Sequence, residues 1–216
     1  MGSATCSQII SRLNLEGHPE GGYYVQTLRD DSIVLSKCPW PSREERPNYQ
    51  HCFPTILFGV GGEGLSNKVG RPVSTSVYSL LPSGSVTRLH WLPCAETLHF
   101  YLGEPLTVFE LYEDGNFKLT CVGSDLLREE HQPQYTIPPY VWFSLFPTNV
   151  YTISTDGALK VNKAEPRDAE KHYSRLGATC APAFRIEDAE VAKWAEFVSR
   201  FPKLEPLISL PCPTNG

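Results

Sequence analysis

The run from Gly84 to Gly103 carries His90, Glu96 and His99 within ten residues, on two successive strand-like stretches closed by a glycine. An imidazole titrates near neutral pH, so it can move a proton or ligate a metal. A carboxylate beside it orients the ring and raises its pKa. Three chemistries therefore fit these residues: a metal centre, metal-free proton transfer, or a polar patch in the wall of a binding pocket. Phenols at Tyr23, Tyr24, Tyr78 or Tyr101 would supply a second proton donor. Cys94 lies between His90 and Glu96 but has no catalytic signature around it. A second notable run is His18-Pro19-Glu20-Gly21-Gly22-Tyr23-Tyr24. Its glycines permit positive φ or close backbone approach. His18, Gly21 and Gly22 read as structural, and the carboxylate of Glu20 faces either a ligand or the amides of its own turn.

Short apolar runs separated by Pro and Gly must position these groups. The chain holds 19 prolines and 16 glycines, and that texture predicts many short strands in a sandwich or barrel. Strands are predicted over 23–28, 76–81, 86–91, 98–101, 106–112, 117–122, 135–137, 141–146, 150–154 and 176–184. Asp114-Gly115 marks a hairpin turn. A helix is predicted over 7–13. Val191, Trp194, Val198 and Phe201 form one apolar stripe of a second helix that ends at Pro202 and covers the barrel. Residues 31–72 read as irregular apart from an apolar island at Ile56 to Phe58, and 156–172 as a polar surface loop.

At 216 residues the chain suits one large domain, assigned to 1–216 with a core over about 13–202 and insertions at about 31–72 and 156–172. A net charge of −5 gives no basic field for nucleic acid or an anionic membrane. There is no apolar run of transmembrane length and no signal-peptide pattern at the start. The seven cysteines form no CxxC pair and are odd in number, which points to reduced thiols and a cytoplasmic setting. No GxSxG elbow, Rossmann fingerprint or P-loop occurs.

The His18 to Tyr24 string resembles the opening motif of the cupin type 5 (DUF985) family of the RmlC-like cupin superfamily. The resemblance continues in order through Ser76 to Pro82, Gly84 to Gly103, Gly123 to Leu127, Ile137 to Trp142 and Gly177 to Phe184. It implies an all-β double-stranded β-helix, a jelly-roll barrel, flanked here by the N-terminal helix and the C-terminal amphipathic helix. It also implies a homodimer and a small-molecule cavity along the barrel axis. One activity does not follow from it, because the fold hosts many. The long 31–72 connection and the 156–172 loop depart from the family pattern and would cap the barrel mouth if they act on the site.

Metal-binding cupins supply His-x-His, then Glu, then a distant His. This chain has His90 and Glu96 at two of those positions, and Leu92 and Phe143 at the others. A catalytic zinc or iron site needs about three protein ligands. His99 would be the third, but strand alternation places it on the face opposite Glu96 and Leu98. The leading expectation is therefore a cofactor-free enzyme of isomerase or cyclase type acting on a small metabolite. His90 is the general base or acid, Glu96 its partner, and Tyr78 or Tyr101 the second donor. Glu20, Tyr23, Trp91, His99, Trp142 and Phe143 line the ligand site. The alternatives are a metal-dependent oxygenase or lyase holding a divalent metal on His90, Glu96 and His99, and a non-catalytic ligand-binding cupin.

Overall fold

The structure, a computed structural model, describes residues 4–35 and 71–212, with the side chains of 33–35 excepted. The elements in chain order are α1 (Cys6–Leu13), β1 (Glu16–Gly17), β2 (Tyr23–Leu35), β3 (Arg71–Pro82), β4 (His90–Trp91), β5 (Ala95–Gly103), β6 (Leu106–Leu111) and β7 (Phe117–Val122). They continue with β8 (His131–Gln132), β9 (Gln134–Ile137), β10 (Trp142–Pro147), β11 (Tyr151–Ser154), β12 (Lys160–Lys163), β13 (Tyr173–Ala181), β14 (Glu190–Val191), α2 (Trp194–Arg200) and α3 (Glu205–Ile208). One sheet runs β1-β2-β3-β13-β5-β9 and the other β14-β4-β10-β6-β7-β8, with β11 and β12 as a separate ribbon. The two sheets face each other without closing into one hydrogen-bonded ring, as in a double-sheet jelly roll.

Three apolar clusters fix this arrangement. Between the sheets lie Leu81, Leu92, Leu98, Val108, Phe143 and Leu176. Outside the second sheet, Trp91, Phe109 and Trp142 pack beneath Phe197 of α2 and Leu207 of α3. Outside the first sheet, Ile9 of α1 meets Leu15, Leu80 and Tyr173. Strand β6 is buried along its whole length because both of its faces are covered, and its two polar residues are bonded there: Thr107 Oγ1 to Thr148 Oγ1 at 2.9 Å, and Glu110 Oε2 from the Tyr135 hydroxyl at 2.6 Å. Helix α1 starts at a reciprocal cap: Thr5 Oγ1 accepts from the Gln8 amide, and the Gln8 side chain accepts from the Thr5 amide.

The jelly roll and its two flanking helices agree with the sequence reading, and several boundaries differ. The 86–91 strand shrinks to His90–Trp91, because residues 86–89 bond to the Glu20 turn and to Leu145 instead of entering a ladder. The 156–172 segment is not wholly loop, since Lys160–Lys163 pairs with Tyr151–Ser154. Part of the predicted irregular 31–72 region is strand: β2 continues to Leu35 and β3 begins at Arg71. The Ile56 to Phe58 island, Cys38 and Cys52 lie outside the described residues. The predicted C-terminal stripe splits. Val191 joins β14 opposite His90, and Phe197, absent from the stripe, becomes the buried residue of α2.

Candidate functional site

A cavity of about 620 Å³ lies between the sheets. That size suits a small metabolite. Its walls are mixed, with Val77, Leu92, Leu98, Phe143, Leu145 and Leu176 supplying the apolar part. Among the titratable side chains that line it are His18, Glu20, His90 and Glu96. Ile186, 54 % exposed, and the solvent-facing Arg29 mark its mouth.

The His18 to Gly22 turn delivers Glu20. The His18 amide donates to the Gly22 carbonyl and the Gly21 amide to the His18 carbonyl, each at 3.0 Å. Gly22 has φ +74, and a Cβ there would come within 2.8 Å of the Leu80 carbonyl oxygen. The turn is thus closed to any side chain at that position. The Arg88 amide donates to the Glu20 carbonyl at 2.7 Å, which ties the turn to the segment leading into His90. His18 Nδ1 accepts from the Glu20 amide at 3.1 Å, so its proton lies on Nε2. Its ring meets Tyr24 edge-on at 4.6 Å.

His90 enters from the opposite sheet. Its Nδ1 lies 2.7 Å from the Arg88 carbonyl. A carbonyl only accepts, so Nδ1 carries the proton and Nε2 is left to face Glu20 Oε2 at 3.2 Å. That contact is a hydrogen bond only if one proton lies between the two atoms. Burial pushes His90 down to about 4, against the opposing effect of the Arg88 bond. Burial also raises Glu20, outweighing the charges of His18 and Arg88. Both shifts favour a neutral pair, with the Glu20 carboxylic acid donating to the His90 imidazole. The second oxygen of Glu20, Oε1, is buried and meets no donor among the described residues. Glu96 faces the same cavity from β5, and burial, the larger cause, pushes it up to about 8, with Glu20 adding to the rise when it is ionised.

Of the residues singled out in the sequence, Glu20, His90, Glu96 and Phe143 come together at this cavity. The Phe143 ring packs on His90 at 4.2 Å between centroids. Six others lie elsewhere, each for a reason of strand parity. Val77 and Ser79 line the cavity, so Tyr78 faces out; it meets Tyr101 edge-on at 5.8 Å, with the Arg175 guanidinium over both rings. Tyr24 points inward, so Tyr23 packs outside with the α1 cluster. Glu96 and Leu98 point inward, so His99 faces out, with Nε2 3.3 Å from Thr179 Oγ1. His90 and Phe143 point inward, so Trp91 and Trp142 pack under α2, their indoles donating to Glu190 and Glu113. The partner of His90 is Glu20 and not Glu96. His18 and Tyr24 line the site as well: strand parity carries Tyr24 once Tyr23 is known to face out, whereas His18 had no local signal. Substituting Tyr78 or Tyr101 with phenylalanine is expected to leave ligand affinity at the cavity within twofold of the parent, measured by isothermal titration.

The chain belongs to the cupin superfamily. It matches the family described as Cupin superfamily (DUF985) over residues 7–192. No curated protein matches it. Among solved structures, it is similar to a protein from Shewanella oneidensis at 20 % identity and a TM-score of 0.65, covering 97 % of this chain and 98 % of that one. It is also similar to a hypothetical protein from Leishmania major at 24 % identity and a TM-score of 0.66, covering 96 % and 98 %. At such identities these likenesses carry the fold alone. The metal chemistry of some cupins needs a donor set that the described residues of this cavity do not bring together. Leu92 and Phe143 hold two of the ligand positions, His99 faces away, and the Nε2 of His90 is turned to Glu20. Among the described residues, no three His, Cys, Asp or Glu side chains converge as metal ligands.

Proposed function

We propose that this cupin catalyses metal-independent proton transfer on a small metabolite held in the cavity, an isomerisation or a cyclisation. The observation that carries the reading is the Glu20–His90 contact at 3.2 Å, with the tautomer of His90 fixed by the Arg88 carbonyl. A pair that shares one proton can take a proton from a carbon acid at one atom and return it at another. Glu20 replaces Glu96 as the partner of His90 in this scheme. Glu96 and Tyr24, which line the same cavity, replace Tyr78 and Tyr101 as the groups that complete the transfer. The apolar part of the wall lowers the local polarity around the reacting centre, which strengthens each polar contact within it. The five described cysteines are free thiols, which supports a reducing compartment. Among the described residues no helix is long and apolar enough to cross a membrane.

The test is solvent exchange. The protein is incubated in deuterium oxide with a panel of small ketones and hydroxy ketones, and deuterium entering carbon is read by mass spectrometry. Catalysed incorporation is expected, unchanged after dialysis against a chelator. Loss of incorporation on chelation, restored by iron or zinc, would replace this reading with the metal-dependent one. A ligand that binds and never exchanges would make the protein a binding cupin.

A further inference from the structure

The charges around the cavity are separated. Glu20 and Glu96 sit deep in it with His90, which burial keeps neutral. The cationic side chains that line the cavity among the described residues are Arg29 and Arg185, with Glu187 beside them. Arg29 pairs with Thr75 across β2 and β3, Thr75 with Cys180 across β3 and β13, and Cys180 with Glu96 across β13 and β5. Three strand spacings therefore separate the backbones of Arg29 and Glu96, about 14 Å. Arg185 follows Phe184, whose amide donates to Thr75 Oγ1 at 3.0 Å, which places its backbone near Thr75, one strand from Arg29 and two from Glu96. Arg29 is further engaged by Asp31 at 3.3 Å.

Beside the carboxyls the lining offers the imidazoles of His18 and His90, both of which burial disposes to the neutral form, and no lysine or arginine among the described residues; Arg88, exposed and outside the lining, is the further cation whose charge reaches Glu20. Glu20 is 6 % exposed, lines the cavity and has an oxygen without a donor. Glu96 accepts no hydrogen bond from any described residue. The rings of Phe143 and Tyr24 complete the lining around them. A buried acid without a donor is costly, and a cation brought by the ligand removes that cost. Aromatic faces add to the attraction for a cation once water is excluded. A carboxylate or phosphate in the same place would meet two acids and, among the described residues of the lining beside them, no permanently charged cation.

We infer that the deep end of the cavity is an ammonium subsite, with Glu96 as its anchor, so that the substrate is a small amine with an apolar body. This rests on the cavity being the substrate site proposed above. The amine donates one N–H to Glu96 and a second towards Glu20, while its hydrocarbon part lies along Leu98, Leu145 and Leu176. The positive charge also holds Glu96 in its ionised form, which burial otherwise opposes.

Isothermal titration at pH 8 with benzylamine, benzyl alcohol and benzoate tests the assignment, because the three probes share a ring and differ in charge. Benzylamine is expected to bind at least tenfold more tightly than benzyl alcohol, with no detectable binding of benzoate. In the Glu96→Gln protein the amine and the alcohol should converge, benzylamine falling to the affinity of benzyl alcohol. Benzoate binding as well as benzylamine, equal affinities for amine and alcohol in the parent, or a preference that survives Glu96→Gln would each overturn the subsite. Deuterium exchange is read separately, so a protein that binds amines and exchanges nothing refutes the proton-transfer reading and leaves the ammonium subsite standing.

Discussion

Replacing Glu20 with glutamine is expected to lower catalysed deuterium exchange by about 10²–10⁴-fold, the usual contribution of a positioned acid or base. Glutamine matches the length and shape of glutamate, and its amide can still donate to His90 Nε2 across the same 3.2 Å gap. The turn that presents the side chain is held by backbone bonds from His18, Gly21 and Arg88, which the substitution leaves intact. What disappears is the exchangeable proton. The loss should therefore fall on kcat, with KM changing little. His90→Ala should lower exchange at least as far, because it removes the other half of the pair. An exchange rate for Glu20→Gln within threefold of the parent would show that the pair is a structural hydrogen bond.

Glu96→Gln is expected to do the opposite for the fold and to stabilise it at alkaline pH. The Glu96 carboxyl is pushed up from 4.5 to about 8, first by burial and then by the charge of Glu20. Between those values the folded protein holds a proton that the unfolded chain releases, so stability falls as pH rises through this window. Each pKa unit is worth 1.36 kcal/mol, which makes the cost about 3 kcal/mol at pH 7 and about 5 kcal/mol above pH 8. Glutamine carries no titrating proton. Urea denaturation of the two proteins should coincide near pH 4.5 and diverge as the pH rises, with the variant the more stable. A difference that stays flat with pH would mean that Glu96 is solvated or paired. The same substitution that stabilises the empty protein removes the proposed ammonium anchor, a trade expected where a site is built at the expense of stability.

The phenols are instructive about how much of the site was legible. Their residue type suited proton transfer, and strand parity decides which of them reach the cavity. Parity is encoded in sequence, but its absolute sense depends on which face of each strand meets the opposite sheet. For β5, alternation set His99 on the face opposite Glu96 and Leu98, yet His99 still counted among the ligand-lining residues until the structure turned it away from the cavity. For β2 and β3 the sense was not readable. Tyr23 and Tyr24 are equally good core residues, and α1 buries the outer face of that sheet as well. The same holds for Trp91 and Trp142, which looked like pocket walls because nothing local announced that α2 and α3 cover the outside of the second sheet.

The sequence by itself determined the jelly roll, the family, and the placing of His90 and Glu96 within one motif. Alternating and unbroken apolar runs have few ways to bury themselves, and Leu92 and Phe143 stand in plain view where metal ligands would be. It also marked Glu20 as a residue of interest through the glycines that follow it. Only the tertiary structure decided what Glu20 meets. Its partner lies 70 residues on and in the other sheet, and the Arg88 carbonyl that sets the tautomer of His90 acts through a contact no motif encodes. A single proton held between two buried groups depends on their distance and on the water excluded around them. Both are properties of the packed chain.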